Sequence, residues 1–165
     1  MQLSHQASRF KSKAFPIIVI ADGIQSPANI GGLFRICEAF GVARIIFWNS
    51  APDFSSTRLK RTARDTINKV PYSICEDVIS EIEILKNKKY KIFALEITAD
   101  SIAIEDIQRE KDQNTVLIIG NERHGISQPL LNTSDQEIHI RMYGNNSSMN
   151  VIQATAIALH SLTKV

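Results

Sequence analysis

From the N-terminus, the first sustained apolar stretch is FPIIVIAD, residues 15 to 22. It is a β-branched run that closes on an Asp-Gly pair, and such a run predicts a short strand. SPANIGGLFRICEAFG follows, with Ser26 and Pro27 suited to N-cap and first helical position and Gly41 just past the end, so it predicts a helix. RIIFWN predicts a second strand, followed by loop and a short basic helix. EDVISEIEILKNKK has helical periodicity, acidic early and lysine-rich late, in the sense that complements the helix macrodipole. YKIFALEIT and TVLIIG are continuously apolar, as strands covered on both faces are, whereas QEIHIRM alternates more and predicts a further strand. Residues 149 to 164 predict a closing helix. Strands alternating with helices predict an α/β fold with a mainly parallel sheet flanked by helices.

Composition changes this picture little. A chain of 165 residues, 44% hydrophobic and 22% charged, suits one globular domain over 1–165, with 1–14 as a basic N-terminal extension and no separate appended domain. No apolar run approaches the ~20 residues of a membrane span, and the N-terminus lacks the apolar core of a secretory signal. A cytoplasmic protein without membrane contact is the expectation. Cys37 and Cys75 lie far apart with no CxxC or His/Cys cluster nearby, so reduced thiols and no metal site are expected. The formal charge is only +2, but cations are segregated: Arg9, Lys11 and Lys13 at the front, and Arg58, Lys60, Arg61 and Arg64 within TRLKRTARDTINK. That arrangement is compatible with a polyanionic partner without requiring one.

Ligands of open parallel sheets sit beyond the carboxyl ends of the strands. Three loops meet that condition: DGIQSPANIGG, GNERHGIS and YGNNSSMN. In the second, Gly120 and Gly125 bracket Asn121, Glu122, Arg123 and His124, letting the backbone turn sharply and approach a ligand. It has no P-loop spacing, and the chain contains no G-x-G-x-x-G. Asn29 falls in the first turn of the first helix and Arg35 about two turns on. The third loop holds more amides and hydroxyls than capping uses: one N-cap residue contributes roughly 0.5–2 kcal/mol. Yet Asn145, Asn146, Ser147 and Ser148 precede the helix, and Asn150 is expected inside its first turn, where Asn is a mediocre helix former. Singly, these features are also what a plain turn, a solvated cation or a capped helix would show.

Together they are more specific. NIGGLFRICEAFG, VLIIGNERHGIS and IRMYGNNSSMNVIQATAIALH resemble, in order and near the same spacing, the three motifs of the SpoU (TrmH-like) branch of the SPOUT methyltransferases. The resemblance runs from about Asp22 to Val165. It implies methyl transfer from S-adenosylmethionine to a ribose 2′-hydroxyl of tRNA or rRNA, with no metal. It also implies a C-terminal segment threaded as a deep trefoil knot, which periodicity could not show and which the general rule against knots disfavours. Homodimers with the active site at the subunit interface are implied too, with the small apolar helix 149–164 as an interface element. Carried over position by position, the cofactor contacts fall on Gly120, Ile140 and Met149, with Asn121 and Met142 beside them. The polar catalytic set falls on Asn29, Arg35, Glu122, Ser148 and Asn150. Departures are Arg141 for the family's common Pro, Met149 for Leu, and NERHG for an SEGxG pattern; Arg141 is expected to face solvent.

A guanidinium is a poor proton acceptor, so the expected role of Arg35 is to orient the ribose hydroxyl and favour its alkoxide character. Arg9, Lys11, Lys13, Arg58, Lys60, Arg61 and Arg64 form the candidate phosphate track. With no appended RNA-binding domain expected, tRNA is favoured over rRNA. Two other functions compete: an RNA-binding protein of the same fold that has lost transfer, and a hydrolase using Ser148, His124 and Glu122. The hydrolase lacks a G-x-S-x-G elbow.

Overall fold

The apolar run 15–22 forms β1 (Phe15–Asp22), buried on both faces from Ile17 onward. The structure, a computed structural model, describes residues 11–108, 110, 112–145 and 148–164; Arg9, Asn146 and Ser147 lie outside them. β1 leads into α1 (Pro27–Ala39), then β2 (Val42–Trp48), α2 (Thr57–Ala63), β3 (Tyr72–Cys75) and α3 (Val78–Asn87). β4 (Lys91–Leu95), β5 (Ile102–Ala103) and β6 (Thr115–Ile119) follow, then α4 (Gln128–Thr133), β7 (Gln136–His139) and α5 (Val151–Thr163). The sheet order is β3-β2-β1-β6-β4-β7-β5, and every pairing is parallel.

Alternation along the central strands divides the core in two. Ile17, Val19 and Ala21 of β1 pack with Leu33, Phe34 and Cys37 of α1 and Leu159 and Leu162 of α5. Ile18 and Ile20 face the other way, toward Val78, Ile82 and Leu85 of α3 and Leu130 of α4. Both faces of the sheet are therefore covered, which is what wholly apolar parallel strands require.

The chain builds outward from β1 to β3, then returns to lay β6 on the other side of β1. That reversal at β6 sets the loop at its carboxyl end where open α/β sheets hold ligands. α2 lies against the start of α1: an added Cβ on Gly31 would sit 2.6 Å from the Leu59 carbonyl oxygen.

The structure adds elements the pattern did not predict. β3 and β5 are short edge strands, and α4 is a six-residue helix, all too brief for periodicity to register. β7 ends at His139 rather than continuing to Met142. α5 begins at Val151, so Asn150 is its N-cap and not a residue of its first turn. Among the described residues, no helix is long and apolar enough to cross a membrane.

Candidate active site

The loop after β6 closes on itself. Asn121 N–H donates to the Gly125 carbonyl at 3.0 Å and Gly125 N–H returns the bond at 2.9 Å. The Asn121 side chain donates to Gly23 O at 2.7 Å and accepts from Arg123 N–H at 2.8 Å, tying this loop to the one after β1. A Cβ on Gly120 would lie 2.3 Å from the Gly125 carbonyl carbon, so only glycine permits the closure. Gly125 has φ +67°, and a Cβ there would come within 2.4 Å of Glu96 Oε2.

Glu96 follows β4, and its carboxylate accepts from Ile126 N–H at 2.9 Å and from Ile97 N–H at 3.1 Å. The buried Asp22 at the end of β1 likewise accepts from Ser127 N–H at 2.8 Å. Two carboxylates at strand ends thus hold the loop. Sequence reasoning passed over both, although an acidic residue closing an apolar run at a strand's carboxyl end is a readable signal.

Above this loop, the three predicted polar segments meet. Asn29, in the first turn of α1, donates its amide to Glu122, and its oxygen accepts from Asn150 Nδ2 at 3.2 Å. The Asn150 oxygen caps α5 by accepting from Ile152 N–H at 2.9 Å. Each carboxamide donates at nitrogen and accepts at oxygen, which fixes both orientations. Ser148 is exposed on the wall of the same cleft.

Arg35 is not brought into this network. It is exposed on α1 and makes no hydrogen bond or ion pair among the described residues. It stands roughly 9 Å along the helix axis from Asn29. Arg141 is also exposed, pairing with Asp106 at 2.5 Å, so it faces solvent as the sequence suggested.

A cleft of about 460 Å³ lies between the loops after β4, β6 and β7 and the start of α5. Gly120, Asn121, Ile140, Met142 and Met149, the predicted cofactor contacts, all line it, together with Glu122 and Ser148. Its size and mixed apolar and polar lining suit a nucleoside-sized ligand. Among the described residues no cluster of His, Cys, Asp and Glu could hold a metal. Cys37 and Cys75 are free, and burial pushes both thiols above their usual range.

The basic residues do not form one track. Arg58, Lys60, Arg61 and Arg64 are exposed on and just after α2, beside the start of α1. Lys13 pairs with Asp112 at 3.2 Å near the far end of α1, where Phe15 N–H donates to Gly41 O at 2.8 Å. Lys11 is exposed next to it in sequence, and Arg9 lies outside the described residues.

The chain is similar to known proteins over most of its length. Residues 16–160 match the family described as "SpoU rRNA Methylase family". A tRNA (guanosine(18)-2′-O)-methyltransferase of Aquifex aeolicus is 29% identical over 147 residues, covering 87% of this chain and 67% of the relative. A 23S rRNA (guanosine(2553)-2′-O)-methyltransferase of Bacillus subtilis is 26% identical over 145 residues, covering 88% and 57%. An AdoMet-bound rRNA methyltransferase from Sinorhizobium meliloti superposes with a TM-score of 0.80 at 23% identity, over 88% of this chain and 54% of that one. The chain thus spans between about half and two thirds of these proteins' lengths.

Proposed function

Because this chain belongs to the SpoU methylase family, we propose that it is an S-adenosylmethionine-dependent RNA methyltransferase acting on a ribose 2′-hydroxyl of tRNA. The observation that carries this reading is the joining of Asn29, Glu122 and Asn150 at the rim of a cleft walled by Gly120, Ile140, Met142 and Met149. These bonds bring three loops distant in sequence to one point beside the cleft, the placement a shared ligand requires.

S-adenosylmethionine, when bound, supplies the activated methyl group on a sulfonium. The chain's own part is to hold the adenosyl portion against apolar walls and backbone groups and to exclude water. Asn29, Glu122, Ser148 and Asn150 would position the ribose, since alignment of reactants can supply roughly 7–11 kcal/mol. Arg35 would orient the 2′-hydroxyl and stabilise its developing negative charge, the proton leaving to an RNA phosphate oxygen or solvent. As Arg35 makes no bond among the described residues of its own chain, we assign it to the site of a second copy in a homodimer. In this reading the segment after β7 is the knotted tail that closes the donor cleft.

The tRNA assignment is supported by the Aquifex relative, which has the higher identity and shares more of its length than the Bacillus one. Incubating the protein with bulk RNA and radiolabelled donor tests the reading directly. Label should appear as 2′-O-methylribose in the tRNA fraction; label in ribosomal RNA alone would refute the tRNA assignment, and unlabelled RNA would refute transfer.

A further inference from the structure

His139, the last residue of β7, lines the cleft described above and also a shallower hollow beside it formed with Ile97, Arg141 and Tyr143. Its Nδ1 lies 2.9 Å from Ser101 Oγ. That hydroxyl donates to Thr98 O at 3.0 Å and accepts from Thr98 N–H at 3.1 Å. A serine hydroxyl has a single proton, and here the Thr98 carbonyl takes it. With that proton placed on Thr98 O, the short contact to the imidazole is assigned as Nδ1–H donating to the Ser101 oxygen. In the neutral ring this leaves Nε2 as a bare acceptor, and no described residue bonds to it.

We infer that His139 Nε2 is a recognition group for the methyl donor, accepting a hydrogen bond from an O–H or N–H of its adenosyl portion, and that Ser101 is the positioning residue that fixes this tautomer. The inference rests on the proposed function, since it takes the cleft to be the donor site. Apolar walls alone discriminate poorly between nucleosides, and a directional acceptor on one of them adds what apolar contact cannot.

Charged side chains stand around His139 on its own strand and the neighbouring one. Glu96 stands one step beyond the Leu95–Ile138 register, next to His139 on the neighbouring strand. Both of its carboxylate oxygens are engaged by the backbone N–H groups of Ile97 and Ile126. Glu137, two residues earlier on β7, accepts from the Thr98 hydroxyl. Arg141 is held by Asp106, Arg123 lines the cleft from the β6 loop, and Met149, Val151 and Ala154 on the α5 side carry no charge.

The test is calorimetric binding of S-adenosylmethionine and S-adenosylhomocysteine to wild type and variants. His139→Leu should bind both about fivefold more weakly, the loss expected for one hydrogen bond, and His139→Gln, which keeps an acceptor, should recover part of that loss. Ser101→Ala should fall between wild type and His139→Leu. Homocysteine conjugates lacking either the 6-amino group or a ribose hydroxyl separate the two sources of the bond: the analogue missing the partnered group should lose nothing further in His139→Leu. Wild-type affinity for both ligands in His139→Leu would overturn the inference while leaving the donor site intact. A wild-type chain that binds neither ligand would instead overturn the proposed function.

Discussion

The side chain of Asn29 donates to Glu122 across 93 residues of chain. It fastens the first helix to the loop after β6, and through Asn150 to the closing helix as well. Glu122 and Asn150 are exposed and Asn29 is half-buried, and both bonds lie at the surface, so they contribute little to holding the fold and much to setting the relative positions of three loops.

Replacing Asn29 with Ala should therefore separate activity from stability. The expected stability loss is about 1 kcal/mol or less, a melting shift of about 2–4 °C for a chain this size. Methyl transfer should fall by at least about tenfold, because ground-state position and not fold has been lost. Calorimetry and label incorporation on the same preparation check both halves.

Gly125→Ala should behave in the opposite way. The left-handed backbone costs an alanine about 1–2 kcal/mol, and the new Cβ would meet Glu96 Oε2 at 2.4 Å. A total loss of about 2–4 kcal/mol in denaturant unfolding is expected, with donor binding lost as the loop is displaced. Glu96→Ala in the same background should relieve the clash and recover part of the stability.

Arg35→Ala should leave donor binding near wild type and abolish transfer. If the site is shared between copies, mixing Arg35→Ala with Glu122→Ala chains should regenerate activity, since one of the two sites in a mixed dimer then holds both native residues. Retention of transfer within a few-fold by Arg35→Ala alone would reject its role, and mixtures no better than their components would reject the shared site.

Removing Arg58, Lys60, Arg61 and Arg64 together should weaken RNA binding and flatten its dependence on salt by roughly 0.7–0.9 per lost phosphate contact. Lys13→Ala should change neither, because Lys13 is paired with Asp112 at the far end of α1. Filter binding over a salt series distinguishes the two groups.

Asp77 caps α3 by accepting from Ser80 N–H at 3.1 Å, and the Ser80 hydroxyl and amide hold its carboxyl below the ordinary 3.8. A carboxyl depressed in the folded state stabilises the fold above its unfolded value and loses that contribution as pH falls through the folded one. Asp77→Asn should thus be less stable at neutral pH and show a smaller further loss on acidification below about pH 4. Thermal melts at neutral and acid pH check the sign.

Much of this was legible in the sequence because central parallel strands are apolar on both faces and long enough to stand out, as 15–22 and 115–119 are. Short edges such as Tyr72–Cys75 carry no such signature, and neither does the six-residue α4. The motif residues around the cleft came from the resemblance of three motifs to a known family. Glu96 and His139 did not: each lies inside a run that reads as plain strand, and only the pairing of β4 with β7 places them side by side. The split of the basic residues was likewise invisible, because nothing local says that Lys13 and Arg58 sit at opposite ends of one helix.

Position 150 shows how narrow the chemical choice can become when one side chain serves two masters. An aspartate could terminate the helix there but would offer Asn29 no proton; a serine could give or take, but is too short to reach both neighbours at once; a glutamine would overshoot the backbone amide of Ile152. Of the twenty side chains only the short carboxamide satisfies both demands, so the amide-rich run ahead of the last helix includes at least one letter whose spelling is dictated by two addresses.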